Sequence, residues 1–222
     1  MTRLPLAAAI ALLLASPAAF SSLPIFSVWP GGEAPGAKNS PASESLVERS
    51  KDPSLPDRAV TGIRAPTITV YAPEKPNGIA LLVTPGGSYQ RVVLDKEGSD
   101  LAPVFNARGY TLFVMTYRMP ADGHAEGSEA PLADAQRALR TLRARAAEWH
   151  IDPHKIGIMG FSAGGHVAAS LETRYSEPAY AAGDAGDRQG ARPDLGGDGE
   201  TGIDVNGSGG RRGGRKRAET RR

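Results

Sequence analysis

The stretch that most limits what this chain can become runs from Lys155 to Ser170, KIGIMGFSAGGHVAAS. IGIM reads as a buried strand and AGGHVAAS as the start of a helix, and between them stands Gly160-x-Ser162-x-Gly164. A strand that feeds a helix through a serine flanked by glycines at two-residue spacing must turn sharply, and such strained backbone tolerates little bulk beside the apex. The turn exposes the serine hydroxyl and aims the helix N-terminus at it, so the amide of Ala163 can stabilise developing negative charge on an oxygen. A chemically idle small-residue turn would share these glycines. The strand before and the helix after favour the elbow, with Ser162 as nucleophile and Gly160 and Gly164 as its permissive flanks.

The rest of the chain supplies a frame for that turn. PTITVYAPE (66–74) alternates like a strand, and GIALLVTPGG (78–87) and YTLFVMTYRM (110–119) are apolar runs suited to strands covered on both faces. Residues 96–109 read as a helix stopped by Gly109. PLADAQRALRTLRARAAEWH (131–150) is an amphipathic helix with Pro131 in its first turn, Leu132, Ala135, Leu139, Leu142 and Ala146 near one face, and arginines around the rest. Strand, strand, helix, strand, helix, strand, elbow, helix predicts an α/β fold, a largely parallel sheet with helices on both faces.

Of the 222 residues, 40% are hydrophobic and 23% charged, enough for one domain with a sizeable core. Residues 1–22 read as a secretory signal. Arg3 is its charged start, LPLAAAIALLLA is too short to span a bilayer, and Ser16-Pro17-Ala18 offers a cleavage site. This predicts an exported protein, periplasmic or secreted, with no membrane span once the signal is removed. Residues 23–60 form a Pro/Gly-rich approach in which Trp29 should pack onto the domain. The domain proper is expected over 61–176, and the glycine-dominated composition of 177–222 predicts disorder.

The net charge of +2 misleads, because residues 211–222, RRGGRKRAETRR, hold seven basic residues and one acidic. The body is therefore mildly acidic, and no nucleic-acid partner is expected. With no cysteine there is no disulfide, thiolate metal site or cysteine nucleophile. No metal cluster or nucleotide loop is evident, and no cofactor is expected.

A second motif lies earlier. TPGGSY (84–89) ends a buried strand in glycines, where a substrate oxygen can approach the amides of Gly86 and Gly87. Together, VWPGGEAPGA, PGGSY and IDPHKIGIMGFSAGGH resemble the secreted bacterial α/β-hydrolases related to acetyl xylan esterases and other small-acyl carbohydrate esterases, from about Val28 to Asp194. Ser88 stands where relatives often carry a third glycine, and its amide can still donate. The resemblance implies hydrolysis of a small-molecule or carbohydrate ester. Ser162 would attack the carbonyl, Gly86, Gly87 and Ala163 would form the oxyanion hole, and water would release the acyl group. The same fold also serves peptidases and lipases, although no apolar lid is evident. A reading from another class is a non-catalytic protein whose basic tail binds anionic partners.

The base and acid that such a serine needs are harder to find. In this fold they follow the nucleophile in the order acid, then histidine. After Ser162 the only histidine is His166, four residues on in the helix that follows the serine, and it reads as structural. His124, His150 and His154 precede the serine, and only His124, in a loop, is an outside candidate. The later acids Asp184, Asp187, Asp194, Asp198 and Asp204 do not follow recognisable strands. Relatives continue after ARPD with an apolar strand, whereas this chain continues LGGDGETGIDVNGSGG. Codons can be chosen for that run so that a one-base shift yields an apolar strand. The expectation is that residues from about Leu195 are out-of-frame text, that the acid and base are missing, and that the elbow strand is left with an unpaired edge.

Overall fold

The computed structural model describes residues 23–198. The signal reading of 1–22, Asp204 and the basic run 211–222 lie outside the described residues. Among the described residues nine strands are formed: β1 (Ile25–Ser27), β2 (Ser45–Glu48), β3 (Arg58–Thr61), β4 (Thr67–Tyr71), β5 (Ala80–Thr84), β6 (Val92–Val93), β7 (Thr111–Met115), β8 (Ile156–Gly160) and β9 (Leu195–Asp198). The helices are α1 (Ala102–Asn106), α2 (Ala130–Ala144) and α3 (Ala163–Arg174).

Six strands make the main sheet in the order β1-β4-β7-β5-β8-β9. The run β7-β5-β8-β9 is parallel, and β4 and β1 extend it antiparallel. Every residue of β5, β7 and β8 is buried, which explains why these strands read as continuous apolar runs. Side chains still divide by alternation. Leu82, Phe113, Met115 and Ile158 join the core under α2 and α3. Val83, Leu112, Val114 and Met159 face the other way, toward Leu101 and Phe105 at α1. Each fully buried side chain of this kind contributes roughly 1.5–3 kcal/mol. The connections after β5 and β8 therefore leave toward opposite faces, which opens a crevice at the carboxyl ends of these neighbouring strands, where α/β folds place ligands.

Several elements differ from the sequence reading. The helix expected over 96–109 is shorter: residues 95–98 form a turn, a 3-10 turn follows at Ser99–Leu101, and α1 ends before Gly109. A small antiparallel sheet, β2-β3-β6, comes from segments too short or too polar to stand out. The Pro/Gly-rich approach contributes β1 to the main sheet, and Trp29 is 4% exposed, its indole N–H donating to Asp134 Oδ1 at 2.7 Å.

The largest correction concerns the glycine-rich stretch from Glu177. Residues 177–198 are ordered, because their polar groups answer cations on α2. Arg137 is buried, and its guanidinium donates to Asp184 and to Asp187, the latter at 2.7 Å. Tyr180 packs edge-on against Trp29 and donates to Asp187. Asp184 and Asp187 form a capping box around the 3-10 turn Ala185–Arg188. Burial alone would raise the Asp187 carboxyl, but its bonds from Tyr180, Gly183 and Arg137 hold it at about 2. Arg143 pairs with Asp194 at 2.8 Å, and Asp194 also accepts the amide of Ile156 at the start of β8. The far edge of the elbow strand is consequently not bare. Leu195–Asp198 pairs with it in parallel, placing Gly160 in register with Asp198.

Candidate active site

Ser162 stands between the end of β8 and the first residue of α3 with φ 51° and ψ −119°, a left-handed conformation a serine rarely adopts. The two flanking glycines are required by close approach of backbone to backbone. A Cβ on Gly160 would lie 2.2 Å from the Gly164 carbonyl oxygen, and one on Gly164 would lie 1.9 Å from that of Thr84. Buried Thr84, last in β5, donates its hydroxyl to the Gly164 carbonyl at 2.9 Å and binds the elbow to the neighbouring strand. The apex is thus overdetermined from both strands, and the serine side chain is left exposed at the carboxyl edge of the sheet.

The loop after β5 approaches from the other side. Tyr117, fully buried, donates to the Pro85 carbonyl at 2.6 Å, and burial pushes its phenol far up. The Gly86 carbonyl accepts from Val93, and the Gly87 carbonyl from Gln90 and Arg91. Gly87 (φ 145°), Ser88 (φ 59°) and Tyr89 (φ 54°) follow in positive-φ backbone, so Ser88 holds a conformation that glycine would adopt without strain.

Three amides were candidates for holding an oxyanion, and the structure separates them. The Gly86 N–H donates to Glu97 Oε2 at 2.6 Å in this structure. Ala163 opens α3, where the first amides have no intrahelical acceptor. The amide of Gly87 meets no acceptor among the described residues. Gly87, Ser162 and Glu97 line one open cavity of about 260 Å³.

Glu97 is the functional-site residue that sequence reasoning missed. It was read as part of a helix, where it would have been one more surface acid. The turn that carries it is anchored by Asp95, 1% exposed, which accepts from the Arg58 amide and guanidinium and from Ser99. These bonds hold the Asp95 carboxyl below its usual range, the Arg58 side chain first. The signal available in the sequence was DKEG beside a Gly-rich loop, a turn pattern that helix periodicity concealed.

Among the described residues no side-chain hydrogen bond joins Ser162 to a histidine. His166 Nδ1 is engaged with the Tyr89 hydroxyl at 2.7 Å, tying α3 to the glycine loop. His150 and His154 flank the turn before β8, at the opposite end of that strand from the elbow. His124 is 5% exposed, neither ring nitrogen has a hydrogen-bond partner, and burial, then Arg118, pushes its pKa down. It does not line the Ser162 cavity. Among the acids, Asp184 and Asp187 serve Arg137, and Asp194 serves Arg143. Asp198 ends β9 at the elbow's edge of the sheet, a strand end the sequence did not reveal. Among the described residues no group of three His, Asp or Glu could hold a metal ion, and no helix is long and apolar enough to cross a membrane.

Residues 69–180, half of the chain, running from within β4 through α3, match the model of the BD-FAE family. The chain belongs to the BD-FAE family. The match begins inside β4 and runs past the elbow to Tyr180, so it takes in the glycine loop, Glu97 and Ser162 together. The family member is 37% identical over 103 residues to an acetylxylan esterase of Xylanibacter ruminicola, covering 46% of this chain and 21% of that protein. It is 38% identical over 97 residues to endo-1,4-beta-xylanase B of Butyrivibrio fibrisolvens, covering 44% of this chain and 15% of that protein. Among solved structures, an acetyl ester-xyloside bifunctional hydrolase from Caldicellulosiruptor lactoaceticus aligns with TM-score 0.51 and 30% identity over 68% of this chain and 55% of that one. The chain therefore spans about a fifth or less of the curated relatives' length, and its fold is that of the α/β-hydrolases.

Proposed function

We propose that the chain is a serine-nucleophile carboxylic ester hydrolase that works through an acyl-enzyme on acetylated carbohydrate. The observation that carries the reading is Ser162 held at a strained apex with unengaged amides on both sides, Ala163 and Gly87, over one cavity. Attack by the Ser162 hydroxyl on an ester carbonyl would place the new oxyanion between those amides, where fixed donors stabilise it more than they stabilise the ground state. Collapse would expel the alcohol and leave the acyl group on Ser162, and water would then release the acid. Acetylated xylan is the substrate class named by the acetylxylan esterase relative.

Turnover by this polypeptide is impaired in the same proposal. Removal of the serine proton needs a base and a partner acid, and no described histidine or acid joins Gly87, Glu97 and Ser162 in that role around the cavity. Residues 1–22 are read as a signal for export, so the enzyme meets its substrate outside the cytoplasm. The test is release of acetate from acetylated xylo-oligosaccharides by the purified chain and by Ser162→Ala. Slow release abolished by the substitution supports the reading. Release unaffected by the substitution overturns it, and fast release dependent on Ser162 overturns the impaired-turnover part.

A further inference from the structure

The cavity beside Ser162 has a composition that an acetyl group alone does not require. Besides Gly87 and Glu97 it is walled by Arg91 and Arg49, and Val93 is its one apolar side chain. Arg91 is half-buried. Its amide donates to the Gly87 carbonyl at 3.2 Å, and its Cγ lies 2.7 Å from where a Cβ on Gly87 would stand. The stem of Arg91 is therefore packed on the residue that offers the free amide, and Arg91 lines the same cavity. Arg58, Arg118, Arg137 and Arg143 each close on a carboxylate. The Arg91 guanidinium has no acceptor or ion-pair partner among the described residues.

The second arginine adds to this surplus. Arg49 pairs with Asp57 at 3.2 Å, but Asp57 is shared with Lys96 at 2.9 Å. Glu97 spends one oxygen on Gly86. Of the charged residues that line the cavity, Arg49 and Arg91 stand against Glu97 alone, one positive charge in excess. An apolar acyl chain would find one valine here, whereas a carboxylate would find a planar guanidinium able to bind it through two parallel hydrogen bonds. The volume is below the roughly 300–1,000 Å³ of drug-sized sites, which suits one sugar unit.

We propose that this cavity binds the carboxylate of a uronic acid, so that the preferred substrate is an ester carried on an acidic sugar, with Arg91 as the specificity residue and Arg49 in support. The proposal rests on the esterase reading for its biological meaning, but its binding claim can be tested without turnover. The probe is sodium D-glucuronate, with D-glucose and sodium acetate as controls, titrated into the Ser162→Ala chain by ligand-observed NMR. Arg91→Gln and Arg49→Gln are then made in that background, with thermal melting to show that each variant folds. Glucuronate should bind at least about tenfold more tightly than either control, and Arg91→Gln should remove the preference. Raising the salt concentration should weaken it as well. Equal binding of glucuronate and glucose, equal binding of acetate, or a preference that survives in Arg91→Gln would each overturn the proposal. Arg91-dependent binding alongside a parent chain inert toward esters would uphold the anion site and reject the esterase reading, and the reverse pattern would do the opposite.

Discussion

Replacing Glu97 tests whether the glycine loop is held by a single carboxylate. In Glu97→Ala the buried Gly86 amide loses its acceptor at 2.6 Å, while its carbonyl keeps the bond from Val93. A charge-assisted hydrogen bond contributes roughly 1.5–3 kcal/mol. Glu97 is half-buried and water can partly replace it, so the expected cost is about 1.5 kcal/mol. Glu97→Gln keeps an uncharged acceptor and should recover about half of that. Urea denaturation of parent, Ala and Gln chains gives the stability, and the rate at which a fluorophosphonate modifies Ser162 gives the state of the oxyanion site. The Ala chain should be modified about tenfold more slowly, with Gln between it and the parent. An Ala chain as stable and as reactive as the parent would refute the clamp. Faster modification of the Ala chain would show instead that Glu97 blocks an amide the reaction uses, which would restore Gly86 as a donor.

Two further predictions follow from other contacts. Gly164→Ala should cost about 3 kcal/mol or more, because its Cβ would stand 1.9 Å from the Thr84 carbonyl, whereas Gly165→Ala, whose Cβ would stand 3.4 Å from its nearest neighbour, should stay within about 1 kcal/mol of the parent; denaturation midpoints that rank the two the other way would contradict the elbow packing. Asp187, held at about 2 against an ordinary 3.8, contributes about 2 kcal/mol that is fully present above pH 4 and is lost as pH falls through 2, so the stability gap between parent and Asp187→Asn should close between pH 4 and pH 2, and a gap that stays constant over that range would contradict the assignment.

The sequence made the sheet legible where burial is complete. The apolar runs around β5, β7 and β8 and the alternation at β4 map onto strands, whereas the helix expected to stop at Gly109 ends at Asn106. The elbow was legible for the same reason, since its glycines answer contacts made within two adjacent strands. What was hidden depends on partners far away in the chain. Residues 177–194 look disordered by composition, yet Arg137 and Arg143 on α2 order them through Asp184, Asp187 and Asp194. Those arginines looked like a solvated helix face, because periodicity does not show that a later segment will cover it. Leu195–Asp198 has no strand propensity of its own and pairs because β8 offers it an open edge. Glu97 was missed because its value lies in one hydrogen bond to a backbone amide eleven residues earlier.

The central claim is that Ser162 is a nucleophile poised by its backbone. Incubating the parent chain and Ser162→Ala with a fluorophosphonate, followed by peptide mass mapping, tests this most directly. The account predicts one slow adduct on Ser162, absent from the variant. No adduct on Ser162 after long incubation, or equal modification of other serines, would contradict it.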